Sequence, residues 1–186
     1  MKFKKADLIM LMIVLMILIT GVSVGIVFRE KKTNTRAEGE TKTVLAEIET
    51  EDKKCSLEIR CNTILDHLEE VPEGKLVYIP ENGIILEETE VSFNEGDTVF
   101  DILCKICQEA EIQLEYSWTP VYDSYYIEGM NHLYEFDFGG QSGWMYQVND
   151  VFPNYGCSAY EIKDGDQIVW CYTIEGLGID IGAKME

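Results

Sequence analysis

Apolar and polar positions divide the chain into three zones. Leu8 to Phe28 runs 21 residues without a charge; as a helix it would extend about 31 Å, matching a hydrocarbon core of about 30 Å. Glu30 to Lys54 is polar, rich in Thr, Glu and Lys, and broken only at Val44-Leu45-Ala46 and Ile48, which is the composition of a flexible stalk. From Cys55 onward the pattern becomes that of a folded domain. The expected organisation is therefore a cytoplasmic N-terminus with a transmembrane signal anchor over 1–29, a stalk over 30–54 and an α+β domain over 55–186.

Within the third zone, Cys55 to Cys61 alternates and reads as a half-buried strand with Leu57 and Ile59 inward. Asn62 to Glu70 is ambiguous, with room for one or two helical turns. Pro72, Gly74, Pro80 and Asn82-Gly83 mark loops around short strands at Lys75 to Ile79 and near Ile84 to Leu86. Glu90 to Phe93 predicts a further strand. Thr98-Val-Phe-Asp101 fits a capping box that opens a helix reaching about Glu109, with Val99, Phe100, Ile102, Leu103, Ile106 and Cys107 on one broad apolar face. Gln113 to Thr119 and Leu133 to Phe138 read as strands, and Pro120 to Asn131 as a loop crowded with Tyr122, Tyr125 and Tyr126.

The densest signal is Ser142 to Tyr172. Two alternating runs, Gly143 to Asn149 and Gln167 to Tyr172, are separated by Pro153, Gly156 and the turn Lys163-Asp164-Gly165-Asp166. Trp144, Tyr146 and Val148 share one face, and Ile168, Trp170 and Tyr172 another. Rings gathered in this way can build a core wall or a ligand-stacking wall, and core is the larger share. Trp170 belongs to a strand apolar on both sides and is expected in the core; Trp144, near the end of its strand, suits a ring shared between core and site. The element order predicts a mixed β-sheet with one main packed helix, β-grasp-like.

Charge changes the picture of the partners. Residues 1–36 hold seven of the 15 Lys and Arg but two of the 34 Asp and Glu, a net of +5, which leaves −24 on the remainder. A field of that sign repels phosphate backbones and anionic lipid, so the folded part binds neither nucleic acid nor a membrane surface. Lys2, Lys4 and Lys5 favour a cytoplasmic N-terminus, while Arg29, Lys31 and Lys32 weaken that vote; the acidic, aromatic-rich domain is expected outside. The apolar span is longer than a secretory h-region and no A-x-A-like site follows it, so an uncleaved anchor is expected, with Ser23-Val24-Gly25 keeping a cleaved signal peptide as the alternative. Six cysteines permit a disulfide framework in an exported chain but do not imply one, and Cys104-Lys-Ile-Cys107 reads as buried, unpaired thiols.

Catalytic patterns are missing. Gly140-Gln-Ser142-Gly-Trp144 lacks the last glycine of a nucleophile elbow and precedes a strand. His67 and His132 form no metal motif, and Asp164-Gly-Asp166 is turn chemistry rather than a calcium loop. No catalytic residue, no metal ligand and no enzyme activity are expected.

Four segments carry a family resemblance: G-D-T-V-F-D-I-L at 96–103, S-G-W-M-Y-Q-V-N at 142–149, F-P-N-Y-G-C at 152–157 and D-G-D-Q-I-V-W-C-Y-T at 164–173. Together they resemble the bacterial transcobalamin-like C-terminal domain family, a domain of unknown function that is similar to the smaller domain of transcobalamin and intrinsic factor, which closes over cobalamin. The resemblance covers most of Cys55 to Gly182 and implies a β-grasp-like α+β sheet with a cobamide as candidate ligand. Asp150 stands where that family more often has Gly, and no stretch reads as the large helical domain of the animal proteins.

The functional expectation is a cell-membrane protein, single-pass, whose outward-facing domain is a binding module for a small ligand, a cobamide being the candidate, with an uptake system as the partner. Its expected ligand-binding residues are Trp118, Tyr122, Tyr125, Tyr126, Trp144, Tyr146, Asn149, Phe152 and Tyr155, because rings in loops are harder to explain as core than rings in strands. The alternative is a cell-surface module that docks protein or cell-wall polymer, with no small-molecule ligand.

Overall fold

The structure, a computed structural model, describes residues 53–183. The Leu8 to Phe28 span and all but the end of the 30–54 stretch lie outside those residues, and among the described ones no helix is long and apolar enough to cross a membrane.

Alternation makes the first strand, β1 (Lys54–Arg60), bury Cys55, Leu57 and Ile59 while Ser56, Glu58 and Arg60 face outward. The last strand, β7 (Gln167–Thr173), lies parallel to it, with Leu57 opposite Ile168 and Ile59 opposite Trp170. On the other side of β7 runs β6 (Gly143–Val148), antiparallel, with Tyr146 opposite Trp170 and Trp144 opposite Tyr172. β2 (Ile84–Ser92) completes a four-stranded mixed sheet of order β2-β1-β7-β6, its pairing with β1 interrupted by register shifts around Ile59. The expected strands at Ile84 to Leu86 and Glu90 to Phe93 are thus parts of one edge strand.

A second sheet, of order β3-β4-β5, is built from β3 (Leu114–Thr119), β4 (Ser124–Met130) and the two-residue β5 (Leu133–Tyr134). It corrects two expectations. Pro120 to Asn131 is not a loop: only Pro120 to Asp123 turns, and Ser124 onward pairs with β3, Trp118 facing Tyr125 and Tyr116 facing Ile127. Leu133 to Phe138 is not a full strand, because the backbone reverses at Phe136 (φ 66) and Gly139 (φ 106). The expected strand at Lys75 to Ile79 is a 3-10 turn over Leu76–Tyr78, its backbone N–H groups spent on local bonds such as Tyr78 N–H to Lys75 O (3.0 Å) and Ile79 N–H to Leu76 O (3.2 Å) rather than on a ladder. Asn62–Glu70 is a kinked 3-10 segment.

The one α-helix among the described residues, α1 (Val99–Glu109), starts where the capping box predicts. The Asp101 N–H donates to Thr98 Oγ1 (3.3 Å) and the Thr98 N–H donates to Asp101 Oδ2 (2.8 Å). Its buried residues, Val99, Phe100, Ile102, Leu103, Ile106 and Cys107, join the same core as Leu57, Ile59, Ile168 and Trp170. The α+β class, the mixed sheet and the packed helix accordingly stand as expected; the second sheet does not follow from that expectation.

Leu103 is fully buried. Leu103→Ala should lower the unfolding free energy by about 2–5 kcal/mol, read from urea melts. A loss below about 0.5 kcal/mol would show that α1 is peripheral to the core.

Candidate functional site

Between β6 and β7 the chain makes an 18-residue connection, and this forms the floor and wall of a cleft of about 680 Å³ lined by residues 148–155, Tyr160 and Gly182. Volumes of roughly 300–1,000 Å³ are those of small-molecule pockets. The connection begins with a two-residue turn: Asn149 (φ 52) and Asp150 (φ 64) are both left-handed, and Val148 and Val151 exchange hydrogen bonds of 2.9 and 3.0 Å. This is the primed turn that suits the twist of antiparallel strands, and Asn and Asp tolerate it at the least cost after glycine. The Asn149 side chain buttons the turn down. Its Nδ2 donates to Asp166 Oδ1 (2.8 Å) and its Oδ1 accepts the Gln167 N–H (3.0 Å).

Three contacts hold the segment that follows. The buried Tyr146 hydroxyl donates to the Tyr155 carbonyl (2.8 Å). Tyr155 and Tyr160 stack with centroids 5.9 Å apart and planes 13° from parallel, and Tyr160 meets Tyr146 edge-on at 6.4 Å. Gly156 lies against the start of β4, where an added Cβ would come 2.0 Å from Ser124 Oγ. There Ser158 Oγ is 2.8 Å from Ser124 Oγ and accepts the Tyr125 N–H at 3.1 Å. Tyr146 in turn rests on Trp170 (5.4 Å), so the cleft wall is tied to the core through a ring whose hydroxyl is already engaged. Burial pushes the phenols of Tyr146 and Tyr160 up, leaving both hydroxyls neutral donors.

The nine expected ligand residues do not form one wall. Asn149, Phe152 and Tyr155 line the cleft, and Tyr146 supports it from beneath. Tyr125 belongs elsewhere: it stacks on Phe100 of α1 (4.2 Å, 16°) and meets Tyr116 and Trp118 edge-on. Trp118 is half-exposed at the rim of that cluster, and Tyr122, 75% exposed, sits on the β3–β4 turn. Tyr126 points to the other face of β4, its hydroxyl donating to Glu135 (2.6 Å). Trp144 is in the core, edge-on to Tyr172 (5.2 Å), with its indole N–H given to the Leu133 carbonyl (2.9 Å). It is 6% exposed.

Sequence reasoning missed Asp150 as a lining residue, and Val151, Asn154 and Tyr160 as well. The signal available for Tyr160 was its place in the same connection as Phe152 and Tyr155, three rings between one pair of strands.

All six cysteines are free thiols, five of them buried. Burial first of all pushes Cys61, Cys107 and Cys157 from 9.0 to about 12, and Cys55 and Cys104 to about 11. Among the described residues no group of three or more His, Cys, Asp or Glu side chains is placed to hold a metal ion.

Residues 96–173, from the turn before α1 to the end of β7, match the family described as a domain of unknown function (DUF4430). No curated protein matches the chain. Among solved structures, that of a proposed metal-binding protein from Ruminococcus gnavus is similar at 12% identity and a TM-score of 0.40, covering 67% of this chain and 98% of that one.

Two outcomes are expected from this geometry. Gly156→Ala should displace the segment from β4 and destabilise the domain by about 1–3 kcal/mol in a denaturant melt, the range for overpacking; an unchanged melt would show that Ser124 yields freely. The thiols give a pH dependence. Their folded pKa values lie above the unfolded 9.0, so the folded state keeps protons that the unfolded state releases, and stability falls as pH rises from about 9 towards 11 and 12. Thermal melts from pH 7 to 11, with maleimide counting at pH 7.5, check this. Stability unchanged through pH 11, or fast labelling of Cys61 in the native protein, would contradict the burial.

Proposed function

We propose that the chain is a membrane-anchored binding module that captures a small ligand in the cleft between β6 and β7, outside the cell, for delivery to an uptake system. The observation that carries this reading is the wall itself: three rings, Phe152, Tyr155 and Tyr160, border a cavity of ligand size, and two of them, Tyr155 and Tyr160, stack on each other and are held by Tyr146 before any ligand arrives. A preformed wall spares the ligand the entropy of ordering it. A binder is a better reading than an enzyme, because among the described residues no His, Cys, Ser or Lys lines the cleft, while His67 pairs with Glu70 at the surface and His132 meets Tyr78 at a tilt (4.3 Å, 39°). The order β2-β1-β7-β6, with β1 and β7 parallel and α1 in the same core, supports a β-grasp-like assignment, and with the motif resemblance it makes a cobamide the first ligand to test.

A second reading rests on the β3–β4 hairpin, where Val121 is 84% and Tyr122 75% exposed beside Trp118. That surface suits docking to protein or a cell-wall polymer, with rigid rings as anchors.

Calorimetry of the full chain in detergent with cobalamin and with cobinamide separates the two. A saturable signal that Tyr155→Ala weakens by at least about tenfold, with an unchanged melt, is the expected outcome. No heat and no thermal shift at millimolar ligand would remove the cobamide. Retention of envelope protein or polymer that depends on Trp118 and Tyr122 would favour the second reading.

A further inference from the structure

The charge of the domain is not spread evenly. The 57 residues from Ile106 to Ile162 contain nine Asp and Glu and no Lys or Arg. This stretch supplies every lining residue of the cleft except Gly182. Among the described residues Asp150 is the only charged one lining the cleft, and its carboxylate makes neither hydrogen bond nor ion pair with any of them. It stands exposed on the two-residue turn, held out by a backbone that Asn149 locks to Asp166 and Gln167. The charge it exerts reaches Arg60 on β1, but that guanidinium is engaged by Cys171 Sγ (3.3 Å) and Glu58 (3.7 Å) and does not line the cleft.

An anion entering this cleft would meet a negative field and, among the described residues, no cationic donor, and would lose its hydration without replacement. An uncharged ligand would gain ring contact and nothing from the field. A cation gains from both, since ring faces and an unpaired carboxylate attract it together. We propose that the cleft selects an organic cation, an ammonium group on a compact apolar body, with Asp150 as its counter-ion and Phe152, Tyr155 and Tyr160 as its walls. The proposal rests on the reading of the cleft as the ligand site and is independent of the cobamide.

The test uses three probes of nearly one shape: choline, its uncharged carbon isostere 3,3-dimethylbutanol, and the anion 3,3-dimethylbutanoate. Each is titrated at low salt into the full chain in a non-ionic detergent, with backbone amide shifts of residues 148–155 as readout. Choline should bind at least about tenfold tighter than the isostere, and the anion should not bind. Asp150→Asn preserves the fold, because Asn accepts the left-handed backbone at least as well as Asp. It should shrink the advantage of choline to below about threefold while leaving the isostere unchanged. Tyr155→Ala should weaken both. Choline and isostere shifting residues 148–155 with equal affinity would keep the cleft as a ligand site and overturn its selectivity for cations. A choline advantage that survives Asp150→Asn would overturn the counter-ion role. No shift at 148–155 with any probe at high millimolar concentration would overturn the cleft as a site, and this inference with it.

Discussion

A buried ring that carries a polar atom must find that atom a partner, and the architecture of this domain follows from how three such rings do so. Trp144 gives its indole N–H to Leu133 O, and Tyr172 gives its hydroxyl to Tyr134 O (2.6 Å). These two bonds join the four-stranded sheet to β5, the edge of the other sheet. Tyr146 gives its hydroxyl to Tyr155 O and so joins the same sheet to the cleft wall. Each ring contributes apolar area to the core and one directed bond to an element outside its own sheet. Trp170 is the exception: its Nε1 is buried without a partner among the described residues, a cost of about 1–3 kcal/mol set against the contacts of a fully buried ring.

The parts of the fold that were legible in the sequence are those in which one period dominates. β1 alternates strictly, α1 has both its box and its apolar face, and β6 and β7 are bounded by glycine and aspartate turns. The second sheet was not legible, because β4 reads Ser-Tyr-Tyr-Ile-Glu-Gly-Met, with Ser124 and Gly129 buried and Tyr126 exposed. Ser124 is buried by its bond to Ser158, and Gly129 by the Tyr134 ring, where a Cβ would come within 2.6 Å. Both reasons are tertiary and invisible to a pattern of hydropathy.

The same limit applied to the site. Tyr125 and Tyr126 look equivalent as neighbours in a ring-rich segment, but strand alternation sends one onto Phe100 and the other to Glu135. Trp144, near the end of its strand, was expected to be shared between core and site; its ring is buried and its indole N–H joins the sheets. What the sequence did contain was the cleft wall, in Asn149, Phe152 and Tyr155, because those residues follow one another along a single connection. A cleft lined by one segment can be read from one segment; a cluster assembled across sheets cannot.

The parallel pairing of β1 with β7 also sets an order of events in making the domain. Arg60 and Cys171, neighbours across that pair, are 111 residues apart in the chain. When β1 leaves the ribosome it can pair with β2, but its other edge has no native partner until nearly the whole domain has been synthesised. β6 is left in the same position, since its only partner in the sheet is also β7. Closing a loop of that length before its contacts are gained is slow, so folding awaits the last strand and then proceeds through the middle of the sheet. Until then two unsatisfied strand edges stand exposed, and the high density of acidic charge on the nascent segments keeps such chains apart.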